Sequence, residues 1–139
     1  MLYGIGCDVC AIAHLEKSLS GPYAAAFVQR VFGPAERAAL ALDTPLPAGR
    51  SGAHRLASAA ADFAAKEAFL KAAGTGLREP FRLCEIEAVR QESGAPAYRF
   101  SGRTAAWVEH HGLTAHLSLS HDGGVALAFC VLEALSPET

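Results

Sequence analysis

No uninterrupted apolar run in this 139-residue sequence approaches the roughly 18 to 20 residues that cross a bilayer, so a membrane-spanning helix is not expected. Charge is scarce too. Asp, Glu, Lys and Arg make up 19% of the residues, with 12 basic against 14 acidic for a formal net charge of −2. A chain so poor in cations cannot neutralise a long run of phosphates, which argues against a nucleic-acid scaffold and leaves room for one local basic pocket. Cysteine is equally sparse. Cys7 and Cys10 form a CDVC, the spacing of a thiol redox pair or half of a zinc site, but Cys84 and Cys130 stand alone and supply no second pair. With no secretory leader before the motif, reduced thiols in a soluble, cytoplasmic protein are expected rather than a disulfide framework.

What the sequence has in quantity is apolar surface: 51% of residues are hydrophobic, enough at this length for one sizeable core and a single domain over 1–139. MLYGIGCDVCAI reads as an opening strand with a tight turn at its glycines and Asp8 near its end. Helical segments follow from about Ala13, across YAAAFVQRVF, and from Pro34 through AERAALAL. DTPLPAGRSG, with two prolines and two glycines, is the clearest flexible insertion. A long helix is expected from His54 to Ala73, stopped by Gly74. LCEIEAVRQ and AYRF alternate as strands around the turn ESGAP, and RTAAWVEHH reads as a helix ending at Gly112. AHLSLSH and VALAFCVLEA are the last two strands, joined by DGG as a hairpin turn. The mixture indicates an α+β fold.

The long helix places charge among apolar residues in FAAKEAFLKAAGTG. At about 100° per residue Glu67 falls roughly 40° from Phe63, near the apolar stripe, with Lys71 one turn beyond and Lys66 on the other flank. Two readings stand. Glu67 and Lys71 form a routine i,i+4 surface pair with lysine stems covering alanine, or a carboxylate at a core edge is compensated by a lysine, hydrogen bonds or a metal. The GTG that follows is a helix cap, or a set of amides open to phosphate; it lacks both P-loop and dinucleotide-fold spacing. Asp8 can converge on Glu67, and two carboxylates with diphosphate oxygens and water suit magnesium. A surface or turn-capping role for Asp8 is the other reading. In AHLSLSHDGG, alternation puts His116, Ser118 and Ser120 on one face as a polar strip and Leu117, Leu119 and His121 on the other, either facing a ligand or simply half-exposed.

GIGCDV, RVFGPAE, FAAKEAFLKAAGTG, HLSLSHDGG and VALAFCVLE, in that order along nearly the whole chain, resemble the holo-acyl-carrier-protein synthases within the 4'-phosphopantetheinyl transferases. The resemblance implies a small antiparallel sheet packed on a long helix, and a homotrimer with coenzyme A (CoA) bound between subunits. It implies transfer of the phosphopantetheine arm of CoA to a serine of an apo acyl carrier protein, releasing adenosine 3',5'-bisphosphate, in fatty-acid or polyketide biosynthesis. The family's metal-binding aspartate and glutamate fall on Asp8 and Glu67, and its diphosphate-contacting lysine on Lys71, so these three carry the chemistry with Mg2+. CoA contacts are implied for Lys71, Gly74, Thr75, Gly76, Pro96, His116, Ser118, Ser120 and His121. The serine's proton goes either to Glu67 or to a metal-associated water.

The sequence departs from that pattern at four places. Ala11 and His14 stand where the family carries an acidic residue and a carrier-docking arginine, Gly33 replaces a threonine, and Asp62 replaces an arginine before FAAKEA. The docking arginine becomes a group only partly charged near neutral pH. Asp62 is a charge reversal with consequences for a phosphate contact or for carrier docking. These changes motivate the second reading, a carrier-binding module impaired in transfer; the retained Asp8, Glu67 and Lys71 oppose it. A redox or zinc role for CDVC ranks third, and Cys7 and Cys10 are expected to pack around the opening strand.

Overall fold

The computed structural model describes residues 1–135. Its elements follow in chain order as strand β1 (Leu2–Ala11), helices α1 (Ile12–Ser20), α2 (Ala24–Val31), α3 (Pro34–Leu40) and α4 (Arg50–Ala73), a single 3-10 turn (Leu83–Glu85), strands β2 (Ile86–Arg90) and β3 (Pro96–Phe100), helix α5 (Gly102–His110), and strands β4 (Leu113–Asp122) and β5 (Val125–Ala134). An antiparallel three-stranded sheet in the order β1-β5-β4 lies against α4, and β2 and β3 form a separate two-stranded sheet. The α+β expectation and the small sheet on a long helix both hold.

The β4–β5 hairpin turns on Gly123 and Gly124 at φ +58° and +80°, the two positive values a tight primed turn needs, as DGG predicts. Along β5, Ala126, Ala128, Cys130 and Leu132 are buried while Leu127 and Phe129 face outward, the period-2 pattern of a half-covered sheet. β4 alternates likewise, with Leu117 and Leu119 packed on the core and His116, Ser118 and Ser120 exposed.

Two local readings of the sequence are corrected. β1 runs unbroken through Gly4 and Gly6 with no tight turn, irregular only between Leu2 and Gly4. The glycines are there because α4 presses on the strand. A Cβ on Gly4 would fall on the carbonyl oxygen of Ala72, and one on Gly6 on that of Ala68 and 2.7 Å from the Ala72 nitrogen. An alanine-rich helix and two glycines let these backbones meet almost without intervening side chains. The second correction concerns α4, which is buried on most of its circumference, Lys66 included. Lys66 is therefore not a surface stem covering alanine.

Gly33 also has a structural explanation. α3 starts with Pro34 at its first position, and Gly33, as the N-cap, offers no side chain to the free N–H groups. Glu87 of β2 does that work instead: its Oε2 accepts from Ala35 N at 2.8 Å and from Glu36 N at 3.1 Å. A side chain on Gly33 would occupy the space of that carboxylate.

Candidate active site

Close contact between β1 and α4 brings the predicted carboxylates together. Asp8, on the α4-facing side of β1, accepts a hydrogen bond from Lys71 Nζ at 3.0 Å, and the same ammonium donates to the carbonyl of Cys7, also at 3.0 Å. Lys71 is open to solvent and Asp8 half-shielded. Glu67, one turn before Lys71, has its pKa raised by burial first and by the Asp8 carboxylate second, while Lys71 pulls the other way. Asp8 in turn raises Lys71 through their hydrogen bond. Asp8 and Glu67 thus lie near enough for the one charge to be felt at the other, at a partly desolvated edge, with the exposed Lys71 ammonium bonded to Asp8. Lys71 bonds Asp8, and its charge still attracts Glu67 across one helical turn.

That arrangement fits a hard divalent cation. Burial first and the Asp8 charge second hold Glu67 high, and a cation would offset both. Among the described residues no cluster of three or more His, Cys, Asp or Glu side chains could hold a metal, so a cation here would have Asp8 and Glu67 as its acidic side chains. Magnesium prefers that donor set, keeping water and substrate phosphate in its shell.

α4 ends where expected: Gly74 adopts φ +82° and its N–H reaches Leu70 O at 3.1 Å and Lys71 O at 3.0 Å, while Gly76 N donates to Leu70 O at 3.4 Å. Gly74, Thr75 and Gly76 therefore lie one turn beyond the Lys71 ammonium. The other predicted contacts are not brought to this place within one chain. His116, Ser118, Ser120 and His121 are on β4, the opposite edge of the sheet, about 10 Å from β1 across β5. His116 is exposed there and its Nε2 meets Glu133 Oε1 at 3.1 Å. Pro96 opens β3, pairing with Arg90 in the second sheet, beside β4.

CDVC is not a metal or redox pair. Cys7 is exposed on the outer face of β1 and Cys10 is buried on the inner one, about 10 Å along the strand, too far for a disulfide. All four cysteines are free. Cys10 packs in the core as expected; Cys7 does not.

Sequence reasoning missed the charge cluster behind the site. Lys66 and Glu36 form a fully buried ion pair, with Glu87 and Asp62 also buried. The wheel carried a signal: Lys66 shares its face with Ala59, Phe69 and Ala73, all core residues, so its ammonium needs an acidic partner. Burial pushes Glu36 up against the pull of Lys66 and the N–H groups of Ala88 and Gly33. Asp62 is pushed up to about 8, chiefly by burial and then by Glu36. Asp62 lines an open groove of about 700 Å3 shared with His54, Ser58, Arg90 and Arg99. A carboxyl raised in the fold favours the native state most below its unfolded value, near pH 4, and that contribution is lost as pH rises through about 8. Asp62→Asn, neutral at every pH, is accordingly expected to leave Tm unchanged near pH 4 and raise it by several degrees at pH 8.5. Thermal melts across that range check it, and a gain that is independent of pH refutes the assignment.

A family model for the 4'-phosphopantetheinyl transferase superfamily matches residues 4–134. The chain is 41% identical to a holo-[acyl-carrier-protein] synthase of Methylobacterium sp. (strain 4-46), covering 100% of this chain and 99% of that protein. Among solved structures, the holo-[acyl-carrier-protein] synthase of Neisseria meningitidis superposes with TM-score 0.77 at 32% identity over 96% of this chain and 99% of its own. The Bacillus anthracis enzyme, solved in complex with CoA (3',5'-ADP), gives TM-score 0.73 at 30% identity over 97% and 99%.

Proposed function

The chain belongs to the 4'-phosphopantetheinyl transferase superfamily and transfers 4'-phosphopantetheine from CoA to a serine of an apo acyl carrier protein; we propose that it does so with Mg2+ held by Asp8 and Glu67. The observation that carries this reading is the nearness of Asp8 and Glu67, with the Lys71 ammonium bonded to Asp8 beside them, at the glycine-capped end of α4. Bound there, the cation would neutralise diphosphate charge as the P–O bond to adenosine 3',5'-bisphosphate breaks. Lys71, on its flexible stem, moves its ammonium from Asp8 onto the diphosphate and stabilises charge developing on the leaving phosphate. The serine proton passes to Glu67 or to a water held by the cation. Gly74, Thr75 and Gly76 frame the diphosphate from the end of α4.

We further propose a homotrimer in which CoA lies between subunits. Its support is the separation of the two halves of the site: His116, Ser118, Ser120 and His121 lie on the other edge strand from Asp8, and a second copy that brings its own β4 beside Asp8 would let one CoA touch both sets. The outer face of the sheet exposes Ile5 and Val9 at 56% each, Phe129 at 40% and Leu127 at 38%, apolar surface of the kind an interface covers. For the carrier the proposed surface is α1 and α2, where Lys17, Phe27 and Arg30 line an open groove of about 470 Å3. His14, in the place of the family's arginine, is exposed on α1 three residues before Lys17. Among the described residues no helix is long and apolar enough to cross a membrane, and four free thiols support a cytoplasmic setting.

The test is incubation with CoA and MgCl2 against a panel of folded apo fatty-acid and polyketide carriers, each read by intact mass. At least one carrier is expected to gain the mass of one phosphopantetheine, and EDTA is expected to stop the gain. No addition on any carrier, with CoA binding confirmed, favours the impaired binding module; transfer insensitive to EDTA removes the metal.

A further inference from the structure

Among the described residues Lys66 is the one cation in the buried core. Its ammonium pairs with Glu36, donates to the carbonyls of Ile86 at 2.6 Å and Leu83 at 3.2 Å, and stands 5.5 Å from the Phe32 ring centroid. Glu36 is held in turn by Gly33 N and Ala88 N, both at 3.0 Å. One lysine thus ties α4 to the start of α3, to the 3-10 turn and to β2. Buried ion pairs of this kind add little to stability, since an apolar pair of similar volume commonly serves as well or better. What they supply is direction.

Few other contacts give α4 direction. Against β1 the helix offers the backbone of Ala68 and Ala72 and methyl side chains, which fix its distance from the strand; the bonds that cross, from Lys71 Nζ to Asp8 and to the Cys7 carbonyl, run through a long exposed stem, and Tyr98 Oη adds one bond to the Ala65 carbonyl. With the carboxylate of a helical glutamate about 6 Å from the axis, a turn of roughly 10° displaces it by about 1 Å. Metal–ligand distances tolerate only about 0.2 Å. We propose that Lys66 is a positioning residue for Glu67: by gripping Glu36, Leu83 and Ile86 on the far side of α4, it sets the rotation that aims the adjacent carboxylate at Asp8. This rests on the metal reading above.

The probe is Mn2+, titrated into CoA-saturated protein and followed by electron paramagnetic resonance, with Asp8→Ala as the control that loses binding. Two variants are compared. The double variant Glu36→Gln/Lys66→Met removes both buried charges together, and Glu36→Asp keeps the charges but retracts the anchor by one methylene. Each is expected to be folded by circular dichroism and to bind Mn2+ about 10-fold more weakly than wild type, the scale on which outer-shell partners act on a metal site. Wild-type affinity in a folded variant overturns the proposal, and so does loss of fold in both, which would make the network structural alone. If the wild-type protein with CoA binds no Mn2+, the metal reading falls with it, an outcome distinct from either.

Discussion

Glu67→Gln is expected to lower phosphopantetheine transfer on the order of 100- to 1,000-fold while leaving the protein at least as stable as wild type near neutral pH. The two halves of this expectation have one cause. Glu67 is raised by burial and by Asp8, so in the empty site its carboxylate is a charge the fold would sooner be without. A raised carboxyl contributes stability below its unfolded pKa and loses it as pH climbs through the folded one. The glutamine keeps the shape without that loss, so its advantage in Tm is absent well below the ordinary carboxylate range and appears above it. Activity moves the opposite way, because the amide brings neither the charge that holds a divalent cation nor a base for the serine proton. Initial rates by intact mass at saturating CoA, with melts at two pH values, check both. Undiminished transfer would remove Glu67 from the chemistry. A uniform fall in Tm would mean that Asp8 and Glu67 do not repel.

Strand elements were legible where side chains alternate. LTAHLSLSHD and VALAFCVLEA separate large apolar from polar or outward residues at every second position, and the glycine pair between them can only be a turn. α4 was legible as a helix but not in its packing, because fourteen of its residues are buried and its alanines point in every direction, leaving no stripe to read. A lysine on such a helix reads as solvated when only one face is assumed to be covered. Gly4 and Gly6 misled for a related reason: glycine marks both a turn and a close approach, and only the partner helix, far away in the chain, decides between them. Asp8 and Glu67 are distant enough in sequence that no spacing rule joins them, so their convergence came from the family resemblance and the fold supplied its cause. The separation of the β4 residues from Asp8 was not visible in either motif, since it depends on β5 lying between two strands that the sequence presents as equals.

Gly6→Ala is the substitution through which that close approach reaches both stability and chemistry. The added methyl would meet backbone, the Ala68 oxygen and the Ala72 nitrogen, and backbone in the middle of a helix cannot step aside as a flexible side chain can. Either α4 lifts from β1 or the strand bends, and overpacking of this kind costs about 1–3 kcal/mol, at times more. At the upper end, a domain of this size loses about 10 °C in Tm. Gly21→Ala provides the contrast: its nearest neighbour would be Lys17 O at 3.2 Å and its φ of −81° suits alanine, so little change in Tm is expected. The larger consequence is for the site. Gly6 is two residues before Asp8 on the same face of β1, and Ala68 follows Glu67 directly, so the displacement opens the very gap across which the carboxylates meet. Transfer by Gly6→Ala should therefore fall at least 10-fold, on the scale of a misplaced metal ligand, at temperatures where the variant is still fully folded. Activity that simply follows the folded fraction would show that the β1–α4 contact serves stability without setting the site. A Tm within two degrees of wild type, on the scale of an ordinary surface change, would show that the backbones can part at almost no cost.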